Sequence, residues 1–391
     1  MELNDINPNV LNVKPSSMRE FDHEISADPQ IVKLTLGEPN FDVPAHIKQA
    51  AIDAINDNYS HYPYFWGYAE LREAAAKYYQ EKFGYHYTAD QIVVTVGATE
   101  AVADAVATLF QPGDAVILPS PAYPLYDASI AMHGLKQVRI DTSKTDYILT
   151  PEAVQQAIDD NPGLNIRGLI ITDPNNPTGV AYTEEQLKAL VPVLKENRIW
   201  VISDEIYGEL TYGQKHYTLS TWLPDQTVIV NGLSKSHAMT GWRLGYVFGP
   251  KGFIDEIAKV HQFTVTTPTS IVQYAAIEAM KHGQNDAEVM RKQYEKRRDF
   301  VVKNMREAGF DVVHPGGAFY VYAKIPASLH MDSWTCARTL AKDYHIGLFP
   351  GASFGDDASI RISYAASDEA LKAAMTAIKK LVADKSVVGD K

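Results

Sequence analysis

Six apolar runs, at residues 92–96, 115–118, 166–171, 199–203, 227–230 and 244–248, punctuate the middle of the chain. They have the length of strands rather than helices. Strands that read as near-continuous apolar runs are buried on both faces, and when they alternate with helices they build a mainly parallel sheet with helices on either side. The helical patterns lie between and before these runs. Thr183-Glu-Glu-Gln186 reads as a capping box, and Leu187, Leu190, Val191 and Leu194 then line one helical face. Helical periodicity also marks 45–56 and Glu70 to Lys82, where Leu71, Ala75 and Tyr78 share a face. The expectation is a large α/β domain over residues 45–285.

After about residue 285 the pattern changes. A charged helix from Asp286 to about Arg306 leads to β-like runs at 311–313, 318–325, 346–349 and 359–364, mixed with helical patterns at 333–343 and 368–383. Strands and helices without strict alternation suit a smaller α+β domain, residues 286–391. Residues 1–44, rich in Pro, Asn and Ser, hold one β-like run, Ile31 to Leu36, and read as an arm packing with that small domain. No linker-like segment separates the lobes, so a helical junction and a cleft between them are expected.

With 46% hydrophobic residues in 391, the chain can bury sizeable cores. It contains no long uninterrupted apolar run, and Met1-Glu-Leu-Asn-Asp5 lacks the regions of a signal peptide. A single cysteine, Cys336, excludes an internal disulfide and a Cys-based zinc site; no metal is expected, and the setting is expected to be cytoplasmic. The net charge of −12 argues against nucleic acid or an anionic membrane as partner, while leaving room for a local basic pocket.

In an open parallel sheet, ligands bind beyond the carboxyl ends of the strands. After 92–96 comes Gly97-Ala-Thr-Glu-Ala101, small residues opening a helix, which reads either as an ordinary helix start or as a phosphate seat. After 115–118, Tyr123 stands on a stiff turn between prolines and offers a ring for stacking or for the core. After 166–171 comes the turn Asp173-Pro-Asn-Asn-Pro-Thr-Gly179, with Asn176 donors to spare. After 199–203, Asp204 is followed three residues later by the phenol of Tyr207; a buried carboxylate there needs a cationic partner, either an arginine or a protonated ring nitrogen.

The stretch Asn231-Gly-Leu-Ser-Lys-Ser-His-Ala-Met-Thr-Gly-Trp-Arg-Leu-Gly245 follows the run 227–230. A lysine such as Lys235 forms a Schiff base with a carbonyl once its pKa is lowered, and Arg243 supplies both a neighbouring cation and a planar grip on phosphate. Amine, phosphate seat, guanidinium, ring, amide, carboxylate and phenol together complement pyridoxal 5′-phosphate, with its aldehyde, phosphate, flat ring, phenolic oxygen and pyridine nitrogen.

Over nearly its whole length the chain resembles the fold-type I, class I/II pyridoxal-phosphate-dependent aminotransferases. The resemblance is carried by Ser234-Lys235 with Thr240-Gly-Trp-Arg-Leu-Gly245, by Asn176-Pro-Thr-Gly179, and by Asp204 with Tyr207. It implies that Lys235 holds the cofactor as an internal aldimine and shuttles a proton, and that Asp204 keeps the pyridine nitrogen protonated. Asn176 and Tyr207 then bond the phenolic oxygen, Tyr123 covers the ring, and Ala98, Thr99, Ser234 and Arg243 hold the phosphate. The family's serine often stands three residues before the lysine, where this chain has Gly232. Arg361, in Ile360-Arg-Ile-Ser-Tyr364, matches the arginine that grips the substrate α-carboxylate; Gly37, in Leu36-Gly-Glu-Pro-Asn-Phe41, matches the substrate-covering segment. Tyr62, five residues before Gly67, matches a tyrosine that reaches the neighbouring subunit's phosphate, which implies a homodimer with shared sites.

The implied reaction is ping-pong transfer of an amino group from an L-amino acid to a 2-oxo acid, with 2-oxoglutarate as the expected acceptor. No arginine occurs between Pro250 and Met290, where one group of the family places the one for a side-chain carboxylate. Aromatic or broad neutral donors are therefore expected, with Tyr64, Phe65 and Trp66 as apolar lining or interface packing. The chain is also similar to the branch that includes N-acetyl-diaminopimelate aminotransferases. Further alternatives are a carbon–sulfur β-lyase and a non-catalytic regulatory protein. A nicotinamide dehydrogenase is disfavoured because the chain has no G-x-G-x-x-G.

Overall fold

A computed structural model describes residues 5–386; residues 1–4 and 387–391, the outermost parts of the expected arm and small domain, lie outside the described residues. The six apolar runs become six strands of a seven-stranded sheet, in the order Ile92–Thr95, Gly245–Phe248, Thr227–Gly232, Trp200–Asp204, Ile166–Thr172, Ala115–Ser120 and Lys136–Asp141. No apolar run announces the seventh strand. Lys136–Asp141 is an edge strand in which only Val138 and Ile140 are buried, so its sequence alternates instead of running apolar.

All neighbours pair in parallel except Gly245–Phe248, which is antiparallel to both Ile92–Thr95 and Thr227–Gly232. The reason lies in the connection. Between Gly232 and Gly245 the chain makes only turns and one short 3-10 segment, Thr240–Trp242, with no helix to carry it back for a parallel crossover. The stretch bearing Lys235 and Arg243 is thus a tight return over the strand ends. Gly245 is required there by close approach: a Cβ on it would stand 2.6 Å from the carbonyl carbon of Gly97 and 2.7 Å from the nitrogen of Ala98.

Helices cover both sheet faces, among them Gly97–Leu109, Lys251–Val265 and Glu184–Glu196, the last with the Thr183/Gln186 capping box formed. The later lobe holds a four-stranded antiparallel sheet in the order Phe349–Pro350, Ser359–Ser363, Tyr320–Lys324 and Asp311–Val312. It is packed by Asp286–Glu307, Ser333–Tyr344 and Asp368–Ser386. The run expected at 346–349 is shared between two sheets, because Ile346–Gly347 pairs in parallel with Val32–Lys33 of the arm.

One core joins the arm, the small lobe and the turn after Trp200–Asp204. Phe21, Ile25 and Leu34 of the arm pack with Phe319, Tyr320 and Ile362, and Ile206, Tyr207 and Leu210 enter the same cluster. Each fully buried large side chain there contributes about 1.5–3 kcal/mol of transfer free energy. The turn after Trp200–Asp204 is therefore anchored from the side of the small lobe as well as by its own sheet.

Candidate active site

The carboxyl ends of Ile92–Thr95, Ala115–Ser120, Ile166–Thr172, Trp200–Asp204 and Thr227–Gly232 converge on one region, and the arm closes it from the other side. Lys235 Nζ donates to the carbonyl of Gly37 and lies 5.8 Å from the centroid of the Tyr207 ring and 5.9 Å from that of Phe319. Burial pushes its amine down to about 8; Arg243 and Arg361 act in the same direction, while Glu38 and Asp204 oppose it.

Asp204 is buried and meets neutral donors: Tyr126 Oη donates to Oδ2 at 2.8 Å, and the N–H of Ile206 to Oδ1 at 3.2 Å. Burial pushes the carboxyl up to about 6, against the effect of those two bonds. Tyr126 also shares a 2.6 Å hydrogen bond with Thr172 Oγ1, so its phenol is fixed between two strand ends. Tyr207 and Tyr320 share a 2.8 Å hydrogen bond between their hydroxyls, and burial raises the pKa of both phenols.

Arg361, only 2% exposed, donates from Nη1 to Asn176 Oδ1 at 3.0 Å and from Nη2 to the carbonyl of Thr35 at 2.8 Å. Its Nε is buried without a partner. The guanidinium lies over the rings of Tyr320, Phe354 and Phe349, with centroids at 4.3, 4.9 and 5.0 Å. A buried cation whose hydrogen bonds go only to neutral oxygens is expensive, and a carboxylate would satisfy it.

At the opposite end, Ala98 and Thr99 open the helix Gly97–Leu109, whose first N–H groups have no intrahelical partner. Gly97 has φ +78°, and a Cβ on it would come within 2.5 Å of Arg243 Nη2, so the guanidinium lies directly against the helix start. Arg243 itself takes φ +55° and donates from Nη1 to the carbonyl of Thr240 at 2.9 Å. Ser234 is buried beside Lys235. Tyr123, half-buried, caps Pro124–Met132 and meets Tyr126 edge-on at 6.1 Å.

These observations test the fit of pyridoxal phosphate. An amine of lowered pKa, a desolvated carboxylate on neutral donors and an anion seat at a helix start beside Arg243 are the donor and acceptor set the group requires, and the unsatisfied Arg361 Nε is left for a carboxylate. The residues fit it.

Tyr62 is not brought to this cluster; it is 86% exposed, near the exposed Tyr64. Trp66 is a member of the buried core on a helix-covered side of the sheet. It is buried against Val93, Ala101 and Ile254, because the strand Ile92–Thr95 draws it into the core through the bond from the N–H of Val94 to its carbonyl. Three residues with no assigned role in the sequence reading belong here: Tyr126, Tyr320 and Glu38. Tyr126 lies on the helix begun by Tyr123 and was within reach of helical spacing. Tyr320 sits in a strand like any core tyrosine. Glu38 accepts from Thr240 Oγ1 at 3.1 Å and opposes the lowering of the lysine pKa, a proximity set only by the arm folding over the turn.

A buried lysine facing such a donor set fits a pyridoxal-phosphate-dependent enzyme. The model of the family described as aminotransferase class I and II matches residues 29–378. A probable N-acetyl-LL-diaminopimelate aminotransferase of Bacillus subtilis (strain 168) is 40% identical over 383 residues, covering 97% of this chain and 96% of that protein. The solved aspartate aminotransferase from Thermus thermophilus with maleate superposes with a TM-score of 0.91 at 32% identity, over 96% of this chain and 99% of that one. The aromatic aminotransferase from Pyrococcus horikoshii OT3 does so at 0.88 and 31%, over 94% and 100%. The chain belongs to the class I and II aminotransferases: it is an aminotransferase dependent on pyridoxal phosphate, with the fold of that family. Among the described residues no helix is long and apolar enough to cross a membrane.

Proposed function

We propose that the chain moves the amino group of an L-amino acid to 2-oxoglutarate in a ping-pong cycle, with Lys235, Asp204, Tyr207, Asn176 and Arg361 in the roles the resemblance implies. The observation that carries this reading is Arg361, a buried guanidinium with an unpartnered Nε, bound to Asn176 and facing the same cleft as Lys235. Pyridoxal phosphate, when bound, supplies a carbonyl for the donor's amine and a ring that accepts the electron pair left as the donor's Cα proton departs.

Lys235 Nζ takes that proton and returns it; an amine near 8 is deprotonated in a workable fraction around neutral pH. Asp204 holds a proton at the ring nitrogen. Asn176 Oδ1 is occupied by Arg361, which leaves Nδ2 to donate to the phenolic oxygen beside Tyr207. Ala98, Thr99, Ser234 and Arg243 hold the phosphate, and Tyr123 covers the ring. Arg361 fixes the substrate carboxylate, and Gly37 with Glu38 keeps water from the lysine. The exposure of Tyr62, Tyr64 and Phe263, at 86%, 59% and 87%, supports a homodimer in which Tyr62 completes the partner's phosphate site. The free, buried Cys336 supports a reducing, cytoplasmic setting.

For the donor, the 40% identity to the N-acetyl-LL-diaminopimelate relative favours that substrate. Aromatic or neutral donors are the second reading, favoured by the absence of arginine between Pro250 and Met290. A donor-by-donor scan of amine transfer to 2-oxoglutarate tests both. The highest kcat/KM is expected for N-acetyl-LL-diaminopimelate; a higher value for phenylalanine or tyrosine overturns the first reading, and thiol release from cystathionine without amine transfer overturns both.

A further inference from the structure

A buried polar group behind the strand ends has no part in the reading above. Glu205, next to Asp204, has no exposed surface, and its carboxylate receives four donors. Ser203 Oγ and Thr218 Oγ1 reach Oε1 at 2.8 and 2.7 Å, while Tyr85 Oη and His216 Nε2 reach Oε2 at 2.6 and 2.7 Å. A carboxylate so surrounded is an acceptor only, so His216 Nε2 carries a proton.

The other ring nitrogen, Nδ1, faces Asp173 Oδ2 at 3.7 Å, and neither atom has a hydrogen-bond partner. Asp173 Oδ1 is taken by the N–H of Tyr182 at 3.0 Å. Two bare lone pairs facing each other away from water are unfavourable, so a proton resides on one of these atoms and the contact is attractive. On its remaining side His216 meets the edge of Phe83, with ring centroids 5.0 Å apart. Lys82, Glu209, Lys215, Glu288 and Arg291 line the adjoining crevice, where Lys82 pairs with Glu209 at 3.5 Å and Arg291 with Glu288 at 2.8 Å.

The two carboxylates belong to the two turns that carry the cofactor-facing residues. Glu205 begins the turn to Tyr207, closed by the N–H of Gly208 on its carbonyl at 2.9 Å. Asp173 begins the turn to Asn176, and its N–H donates to the carbonyl of Asp204 at 3.0 Å. We propose that His216 is a positioning residue for the cofactor pocket: through Glu205 and Asp173 it clamps the Asp204–Tyr207 turn to the Asp173–Asn176 turn. It touches neither cofactor nor substrate. The inference rests on the placement of Asp204, Tyr207 and Asn176 around the cofactor.

The test uses His216→Gln, which keeps a donor for Glu205 but loses the link to Asp173, and Asp173→Ala, which removes the carboxylate that Nδ1 faces. Apoprotein is titrated with pyridoxal phosphate, and the pH midpoint of the holoenzyme's visible absorbance is recorded with kcat and KM. By analogy with outer-shell partners of bound metals, cofactor Kd is expected to rise roughly ten-fold in each variant. The absorbance midpoint moves, and kcat falls more than KM changes. If at least one variant folds and shows wild-type Kd, midpoint and kcat with only a lower melting temperature, His216 is structural and the clamp is refuted. Asp204→Ala separates the two layers: an unchanged spectrum there overturns the placement of the cofactor itself, whereas a changed one with normal His216 and Asp173 variants overturns the clamp alone.

Discussion

Arg361→Met offers a measurement in which stability and catalysis should part company. In the ligand-free chain the substitution removes donors from Asn176 Oδ1 and the Thr35 carbonyl, which costs about 1–3 kcal/mol for each buried acceptor left alone. It also removes a cation that is 2% exposed and bonded only to neutral groups, a burden of several kcal/mol. The two effects are of similar size, so the melting temperature should change little or rise. With substrate bound the balance is different, because the guanidinium then meets a carboxylate in a desolvated site, and truncating such a pair costs about 2–5 kcal/mol. That corresponds to a fall in kcat/KM of roughly thirty-fold to several thousand-fold. The fall should be alike for every amino donor and for the 2-oxo acid, since all carry the same α-carboxylate. Arg361→Lys should recover part of it, keeping the charge but not the planar fork. Steady-state kinetics on three donors of unlike side chain, beside a thermal melt of the ligand-free protein, decides the matter. A loss confined to one donor, or a large loss of stability with unchanged KM, would show that Arg361 is a structural cation.

Lys235→Met in cofactor-free protein should be more stable than wild type at pH 7, because burial there opposes the charged amine. The folded pKa, about 8, lies below the ordinary lysine value, so wild-type stability recovers as pH rises from about 8 towards 10.5; urea melts across that range should show the gap closing. A gap that does not change with pH contradicts the burial argument. Gly245→Ala should destabilise by about 1–3 kcal/mol or more, since its Cβ would meet rigid backbone of Gly97 and Ala98; a melt within error of wild type contradicts the close approach. Mixing inactive Tyr62→Ala and Lys235→Ala proteins should restore part of the activity through hybrid dimers, and no recovery despite demonstrated subunit exchange would count against a shared site.

Much of the fold was legible in the sequence. The near-continuous apolar runs read as strands buried on both faces, and the helices between them implied a mainly parallel sheet. The edge strand Lys136–Asp141 was hidden because one face is wet and its alternation is short. What was legible of the candidate site is what lies near a strand end: Asp204 closes its strand, and Lys235, Asn176 and Tyr207 stand three or four residues past the ends of theirs. Tyr320 and Glu38 were not, since a tyrosine in a strand or a glutamate in an arm has no local mark distinguishing a site residue from a core or surface one.

The sequence by itself determined which residue types stand at the ends of which strands, because strand length, apolar runs and turn residues are local properties. Only the tertiary structure decided what these residues meet. Arg361 reaches Asn176 and Thr35 across 185 and 326 residues of chain, and Lys235 meets Gly37 across 198. Those contacts, and the burial that lowers the lysine and raises Asp204, exist only once the arm and both lobes have excluded water from the same cleft.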